Sequence, residues 1–194
     1  MRALLILILP LFLVAEVHYA KVEPFKVYTI RSVVSGKVIL SRDDLEGEIV
    51  NGEIIAIDDK VDKKDLVITK ENISILKKQI EINQQLLPAL KENLSRKRAY
   101  FNRVDSSSSF SKNQKDMAFA SFLAAKRDFL SIKEKILTLK SQLNSLRDKE
   151  TLLKDKISNK HITIKNRYLY KIYVKKGEFV LTNSLLAKVM DISK

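Results

Sequence analysis

Two long stretches of the chain place mostly apolar residues at alternating spacings of three and four, with nine apolar positions of twelve in the first and eleven of thirteen in the second. The first series comprises Leu66, Thr69, Ile73, Leu76, Ile80, Asn83, Leu87, Leu90, Leu94, Lys97, Phe101 and Val104. The second comprises Lys115, Ala118, Phe122, Ala125, Phe129, Ile132, Ile136, Leu139, Leu143, Leu146, Glu150, Leu153 and Ile157. A 3.5-residue period sustained over this length is typical of coiled-coil helices, and a polar residue such as Asn83 can fix their register.

A serine-rich segment separates the two helical series. Residues 105–110 read DSSSSF, and serines compete with the backbone for hydrogen bonds in a way that favours a turn. Ser111 and Gln114 then match the S-x-x-Q capping box that opens a helix. The sequence therefore predicts an antiparallel hairpin over residues 62–160, with its tip at 105–111.

A second apolar stripe runs beside the main seam of each predicted helix. It recurs every seven residues, at Ile68, Ile75, Ile82, Leu123, Leu130 and Leu137. One interpretation is an ordinary widening of the core face. The other is lateral packing against a neighbouring hairpin in an oligomer, because a two-helix hairpin needs only one seam.

The segments on either side of the predicted hairpin have a different pattern. Residues 27–60 and 162–191 are rich in Val, Ile and Tyr, with Gly or Asn at the corners, which is typical of short strands. A closed hairpin brings its two ends together, so the flanks can pair into one small β unit. We therefore assign residues 21–61 and 161–194 to the two halves of one α+β fold.

The first twenty residues have the pattern of an export signal. Arg2 precedes an apolar run from Ala3 to Ala15, and a small residue, Ala20, ends the segment. The run is too short to span a membrane and contains Pro10. Residues 1–20 are thus predicted to be a secretory signal, with a short uncleaved inner-membrane anchor as the alternative.

The composition argues against enzyme chemistry. The chain has no Cys, two His and four Gly, and neither GxGxxG nor GxxxxGK[ST] occurs. We therefore expect no catalytic residue, cofactor or metal site, and a structural role for His161 at the junction between helix and strand. The formal net charge of +13 raises a nucleic-acid-binding coiled coil as a rival. The export signal and the interspersed acidic residues argue against that rival.

The order of strands, helix, helix and strands resembles the haemolysin-D-type membrane fusion proteins, or periplasmic adaptors. In that family an α-helical hairpin divides a lipoyl-like β-sandwich into two halves. The matching residues are Ser35-Gly36-Lys37-Val38, Gly52, Ile55 and Ile57-Asp58 in the first half, and Gly177, Val180, Asn183, Leu186, Val189 and Asp191 in the second. The resemblance covers about residues 25–191. Family members usually continue into a β-barrel and a membrane-proximal domain, so the sequence is expected to be either a short member of the family or a truncated form of a longer protein.

The resemblance also implies that the hairpin tip docks on an outer-membrane channel. The family pattern there is an Arg, a Leu four residues later, and a Ser seven residues after the Leu. Aligned on Ser111, the sequence has Val104 and Tyr100 at the other two positions, with Arg103 nearby. Tyr100, Arg103, Val104, Phe110 and Ser111 are therefore the candidate docking residues, although Ser111 can equally be a helix cap and Arg103 a solvated side chain.

The function that the resemblance implies is that of a periplasmic adaptor in a tripartite efflux or secretion system. Its partners would be an outer-membrane channel and an inner-membrane transporter, proton-driven or ATP-driven, and copies of itself in a homo-oligomeric ring. A purely structural exported coiled coil is the alternative. A lipoyl or biotinyl carrier is disfavoured, because the hairpin occupies the joint where a carrier would present its modified Lys.

Overall fold

The computed structural model describes residues 26–191, so the predicted signal at 1–20 lies outside the described residues. Three strands precede the helices and three follow them. The elements are β1 (Lys26–Arg31), β2 (Gly36–Ser41), a short 3-10 turn (Asp43–Leu45), β3 (Ile49–Ile57), α1 (Lys60–Ser106), α2 (Lys112–Ser158), β4 (His161–Ile172), β5 (Phe179–Val180) and β6 (Leu185–Asp191). The α+β fold is thus confirmed as a hairpin inserted into a β unit.

The two helices are equally long and pack along the predicted seam. Each has 47 residues, which corresponds to about 70 Å. Every seam position of both helices is buried or partly buried. Asn83 is buried within the seam, where its Nδ2 donates to the Gln79 carbonyl at 2.6 Å. The periodicity therefore correctly predicted which faces meet, while the Asn83 amide is satisfied within its own helix.

The six strands form one curled antiparallel sheet. Their order is β1-β6-β4-β3-β2-β5, so both flanks of the hairpin contribute neighbouring strands. The pairing of β3 with β4 joins the two flanks where the hairpin leaves the sheet, with Ala56 opposite His161. The core of this β unit consists of Val38, Val50, Ile54, Ile55, Ile57, Ile164, Leu169, Ile172, Val174, Val180, Leu186, Ala187 and Val189. Residues more than a hundred positions apart thus share one core.

Several of the residues that carry the family resemblance have clear structural roles. A Cβ on Gly36 would lie 2.6 Å from Ile57 Cγ2, so a glycine is needed for this close approach. Gly177 and Asn183 adopt positive φ angles of 98° and 71° on either side of β5. Leu186 is fully buried in the core of the β unit. Gly36 therefore fixes a close contact in the first half of the β unit, and Gly177, Asn183 and Leu186 fix the turns and packing of the second half.

Within residues 26–191, neither helix combines the length and apolar character that a membrane-spanning segment requires.

Candidate functional site

The tip of the hairpin is closed by hydrogen bonds between residues close in sequence. Ser111 Oγ accepts from the Gln114 backbone N–H at 3.3 Å, and Gln114 Oε1 accepts from the Ser111 N–H at 2.8 Å. The predicted capping box is thus confirmed. Across the turn, Lys115 Nζ donates to the Asp105 carbonyl at 2.7 Å. These bonds satisfy backbone groups at the start of α2 and link the ends of the two helices.

The structure separates the five predicted docking residues into exposed and buried members. Tyr100 is 47% exposed, and Arg103, Phe110 and Ser111 are also exposed. Val104 is 1% exposed, because its position on the seam turns it towards α2. Val104 is therefore not accessible to a partner and instead holds the two helices together, whereas the other four predicted docking residues are accessible.

Below the tip, three phenylalanines pack across the two helices. The Phe101 ring lies 5.2 Å from that of Phe119 and is stacked on that of Phe122 at 5.9 Å, centroid to centroid. The 3.5-residue period predicted Phe101 and Phe122 as seam residues but did not include Phe119. Its i,i+3 spacing from Phe122 is a signal that both rings lie on one helix face. These ring contacts help to hold α1 and α2 together immediately behind the tip.

A shallow groove on α1 near the tip is positively charged. It is lined by Asn93, Arg96, Lys97, Ala99, Tyr100 and Arg103. Its charged residues are all cations, although Arg96 also lies 3.7 Å from Glu92 on the same helix. The groove is continuous with the exposed Tyr100 and Arg103 of the tip. A partner that meets this surface is therefore expected to present acidic side chains.

All six residues of the second apolar stripe are exposed, between 44% and 66%. They form two separate patches. Two grooves run between the helices, one on each flank of the hairpin. Ile82 of α1 and Lys135 of α2 line the first groove, and Lys77 of α1 and Asn144 of α2 line the second. Ile82 and Lys77 point about 140° apart around α1, so the two grooves lie on opposite flanks. Since Asn144 is one heptad after Leu137, the Leu stripe of α2 lies on the flank opposite the Ile stripe of α1.

The two patches also differ in height along the hairpin. The groove shared by Ile82 and Lys135 places Leu137 at about the level of Ile82. From that level the Ile stripe continues towards the β unit, and the Leu stripe continues towards the tip. Each hairpin thus offers a different apolar surface on each flank, as head-to-tail packing of identical subunits requires.

The joint between hairpin and β unit contains buried charges. Asp62 and Lys160 are 4% and 6% exposed and form an ion pair, and Lys160 Nζ also donates to the Asp58 carbonyl at 2.6 Å. Lys156 Nζ lies 2.8 Å from the other Asp62 oxygen. Burial opposes ionisation of Asp62, but hydrogen bonds from Lys156 and Lys160 outweigh it and lower its pKa.

His161 extends this joint from the start of β4. Its Nε2 lies 2.8 Å from Asp59 Oδ2 and its Nδ1 lies 2.6 Å from Glu53 Oε1. The bonds to Asp59 and then Glu53 raise the pKa of His161, against the effect of burial. Burial likewise opposes the charge of Asp59, but Lys63 and His161 lower its pKa. His161 thus contacts two carboxylates, whereas the sequence predicted only a structural role for it at the junction between helix and strand.

Within the described residues, no group of three or more His, Cys, Asp or Glu side chains could hold a metal ion. The acidic residues of the joint are paired with Lys or His instead.

Comparison with solved structures gives the fold a context. MacA from Actinobacillus actinomycetemcomitans matches with a TM-score of 0.57 and 18% identity, over 89% of this chain and 51% of that one. The periplasmic adaptor protein EmrA matches with a TM-score of 0.45 and 13% identity, over 87% and 73%. A MacA–MexA chimeric protein containing the Pseudomonas aeruginosa MexA α-hairpin domain gives 0.45 and 19%, over 88% and 49%.

No protein-family model and no curated protein matches the sequence. The chain spans about half the length of the MacA chain that it matches. Two long helices inserted between the halves of a small antiparallel β unit, arranged as in MacA, thus give this chain the fold of the membrane fusion proteins, the periplasmic adaptor family that its sequence resembles.

Proposed function

We propose that the protein is a periplasmic adaptor of a tripartite efflux or secretion system and joins an inner-membrane transporter to an outer-membrane channel. The observation that carries this proposal is the hairpin itself. It holds a capped, cationic tip about 70 Å from the β unit, in a fold shared with MacA. Its role is then geometric.

The tip has the properties of a docking surface for another helical protein. Tyr100 and Phe110 supply exposed aromatic area, and Arg103 supplies a charge beside the cationic groove. Aromatic residues and Arg are enriched where protein interfaces gain most of their free energy. We propose that the channel meets this surface with acidic side chains, while Ser111 and Val104 keep the surface in shape.

The two apolar stripes support assembly into a ring. Exposed Ile and Leu side chains at heptad spacing along opposite flanks allow one subunit to pack against the next. We propose that the Ile68–Ile82 stripe of one copy and the Leu123–Leu137 stripe of the next belong to the same interface. The Ile stripe forms the half of that interface nearer the β unit, and the Leu stripe forms the half nearer the tip. A ring built in this way surrounds a conduit.

The docking proposal is tested by affinity purification after crosslinking in the native host. Wild type is expected to bring down an outer-membrane channel, identified by mass spectrometry. Tyr100→Glu and Arg103→Glu are each expected to reduce its yield about tenfold or more. Leu152→Glu is the matched control, because Leu152 is 69% exposed and lies near the other end of α2. Equal yields from wild type and the tip variants would contradict docking through the tip.

The ring proposal is tested by native mass spectrometry and sedimentation of Ile75→Glu and Leu130→Glu. Each variant loses one flank and is expected to stop at small species, while Ser141→Glu, at an exposed position that faces away from the seam, assembles like wild type. Mixing the two variants leaves one intact interface between unlike copies, so heterodimers are expected. A wild-type protein that remains a monomer at all concentrations would exclude the ring. The second candidate function, a structural coiled coil, predicts that no channel is recovered in the affinity purification.

A further inference from the structure

His161 lies at the one place where the chain crosses between the β unit and the hairpin in both directions. Asp59 immediately precedes α1, and His161 follows α2 by three residues. The backbone of Ile57 donates to the Lys160 carbonyl at 2.8 Å, so the two crossings are hydrogen-bonded neighbours. A change of charge at His161 therefore acts directly on the joint that sets the direction of the hairpin.

The contacts of the imidazole require both ring nitrogens to be donors. Each nitrogen faces a carboxylate oxygen, Glu53 Oε1 at 2.6 Å and Asp59 Oδ2 at 2.8 Å. An ionised carboxylate only accepts, and a neutral imidazole carries one N–H and one lone pair. Only the imidazolium can therefore make both bonds. When its proton is lost, one carboxylate faces a lone pair and the bond becomes a repulsion.

The other charged groups of the joint are arranged so that they do not replace this proton. Lys63 of α1 binds Asp59 Oδ2 at 2.8 Å and stays with α1 whichever state His161 adopts. Asp62 is already held by Lys156 of α2 and by Lys160, which precedes β4. Glu53 of β3 has its hydrogen bond to His161. The side-chain link from Glu53 of β3 to Asp59 at the start of α1 thus depends on His161, while the Lys160–Asp62 pair remains in either state.

We propose that His161 is a pH-dependent clamp between the β unit and the hairpin. Protonated, it ties Glu53 of the sheet to Asp59 at the start of α1; neutral, it holds only one of them, and the hairpin gains freedom about its base. The inference does not depend on the adaptor function, since it concerns only the geometry of this chain.

The direction of the switch follows from the surroundings of the ring. The carboxylates raise the pKa of His161 above its ordinary value of about 6.5. The clamp is therefore closed at pH values below the pKa of His161 in the folded protein, and it opens as the pH rises through that raised pKa. Asp59 and Asp62, whose pKa values are lowered, titrate well below this range.

The clamp is tested by two measurements on the full chain between pH 5.5 and 9. NMR follows the ring signals of His161, which have to be distinguished only from those of His18, the other His of the chain. Spin labels at Ser141→Cys and Lys176→Cys, both exposed and the only thiols of a chain without Cys, report the distance between α2 and the β unit by pulsed electron resonance. We expect the distance distribution to widen by about half or more at alkaline pH.

Two variants make the result specific. His161→Gln cannot titrate and is expected to give a wide distribution at every pH. Glu53→Gln keeps the ring and removes one charge, so the transition is expected about one pH unit lower than in wild type. A distribution independent of pH in wild type, a ring that titrates at or below pH 6.5, or a pH response that persists in His161→Gln overturns the proposal.

Discussion

The two ends of the hairpin differ in how they are held. At the joint, the buried charges of Asp59, Asp62 and Lys160 and the half-buried Glu53 and His161 pair over about a hundred residues of sequence. At the tip, the hydrogen bonds link residues at most ten apart, and aromatic and cationic side chains remain exposed. One end of the same two helices thus fixes geometry, and the other presents a surface.

This difference separates stability from recognition along one element. A substitution at the joint removes contacts that hold sheet and hairpin together. One at the tip changes what a partner meets. The following variants test that separation by their effect on the free energy of unfolding.

The largest effect is expected from Asp62→Ala. The variant leaves Lys160 buried without its carboxylate, and breaking a buried ion pair typically costs about 3–5 kcal/mol. Denaturant unfolding followed by circular dichroism measures the change. Asp65→Ala is the control, because Asp65 is exposed on the same helix. A loss no larger than that of the control would mean that the joint does not hold the fold.

The joint is also expected to make stability depend on acid pH. The pKa values of Asp59 and Asp62 are lowered, so their contribution is present above the ordinary value of about 3.9 and is lost as the pH falls through the lower folded values. Unfolding midpoints between pH 2 and 6 measure this loss. Asp62→Asn should flatten the profile, and variants at the tip should leave it unchanged.

Gly36→Ala is expected to cost about 1–3 kcal/mol, because the new methyl group meets Ile57 Cγ2 beside the joint. Gly52→Ala is a matched control. Its φ of 155° is close to the 159° of Gly36, but no atom lies within 4 Å of the added Cβ. The difference between the two variants therefore isolates the steric contact, and equal costs would assign the whole effect to the backbone.

The smallest effect is expected at the tip. Ser111→Ala removes the capping hydroxyl of α2 and should cost about 1 kcal/mol. Hydrogen exchange should show faster opening of the first turn of α2 and no change in the β unit. Ser109→Ala lies in the same loop outside the cap and serves as control. A cost equal to that of Asp62→Ala would erase the contrast between the two ends.

The hairpin could be predicted because the residue spacing that specifies it extends over only a few neighbouring residues. A 3.5-residue period fixes the seam, and it even implied that Val104, named as a docking residue, is buried. Strand content was also predictable from composition. The pairing of β3 with β4 and of β1 with β6 depends on contacts across the hairpin, which no short-range pattern encodes.

The joint was the part that sequence reasoning missed. Asp59, Asp62 and Lys160 look like ordinary members of a charged chain, and nothing in their spacing marks them as buried partners. Only the closing of the hairpin brings them together. His161 was assigned a structural role at the junction, but its two carboxylate neighbours lie more than a hundred positions away.

The chain leaves the sheet and returns to it at adjacent backbone positions, with Ala56 opposite His161. The helices between these positions can therefore be shortened or lengthened without changing the strand pairing at their base. Deleting seven residues from each arm at the same height would preserve both the seam and the sheet, and would shorten the reach by about 10 Å. The length of the hairpin can thus change, by evolution or by design, in steps of one heptad on each helix while the β unit stays the same.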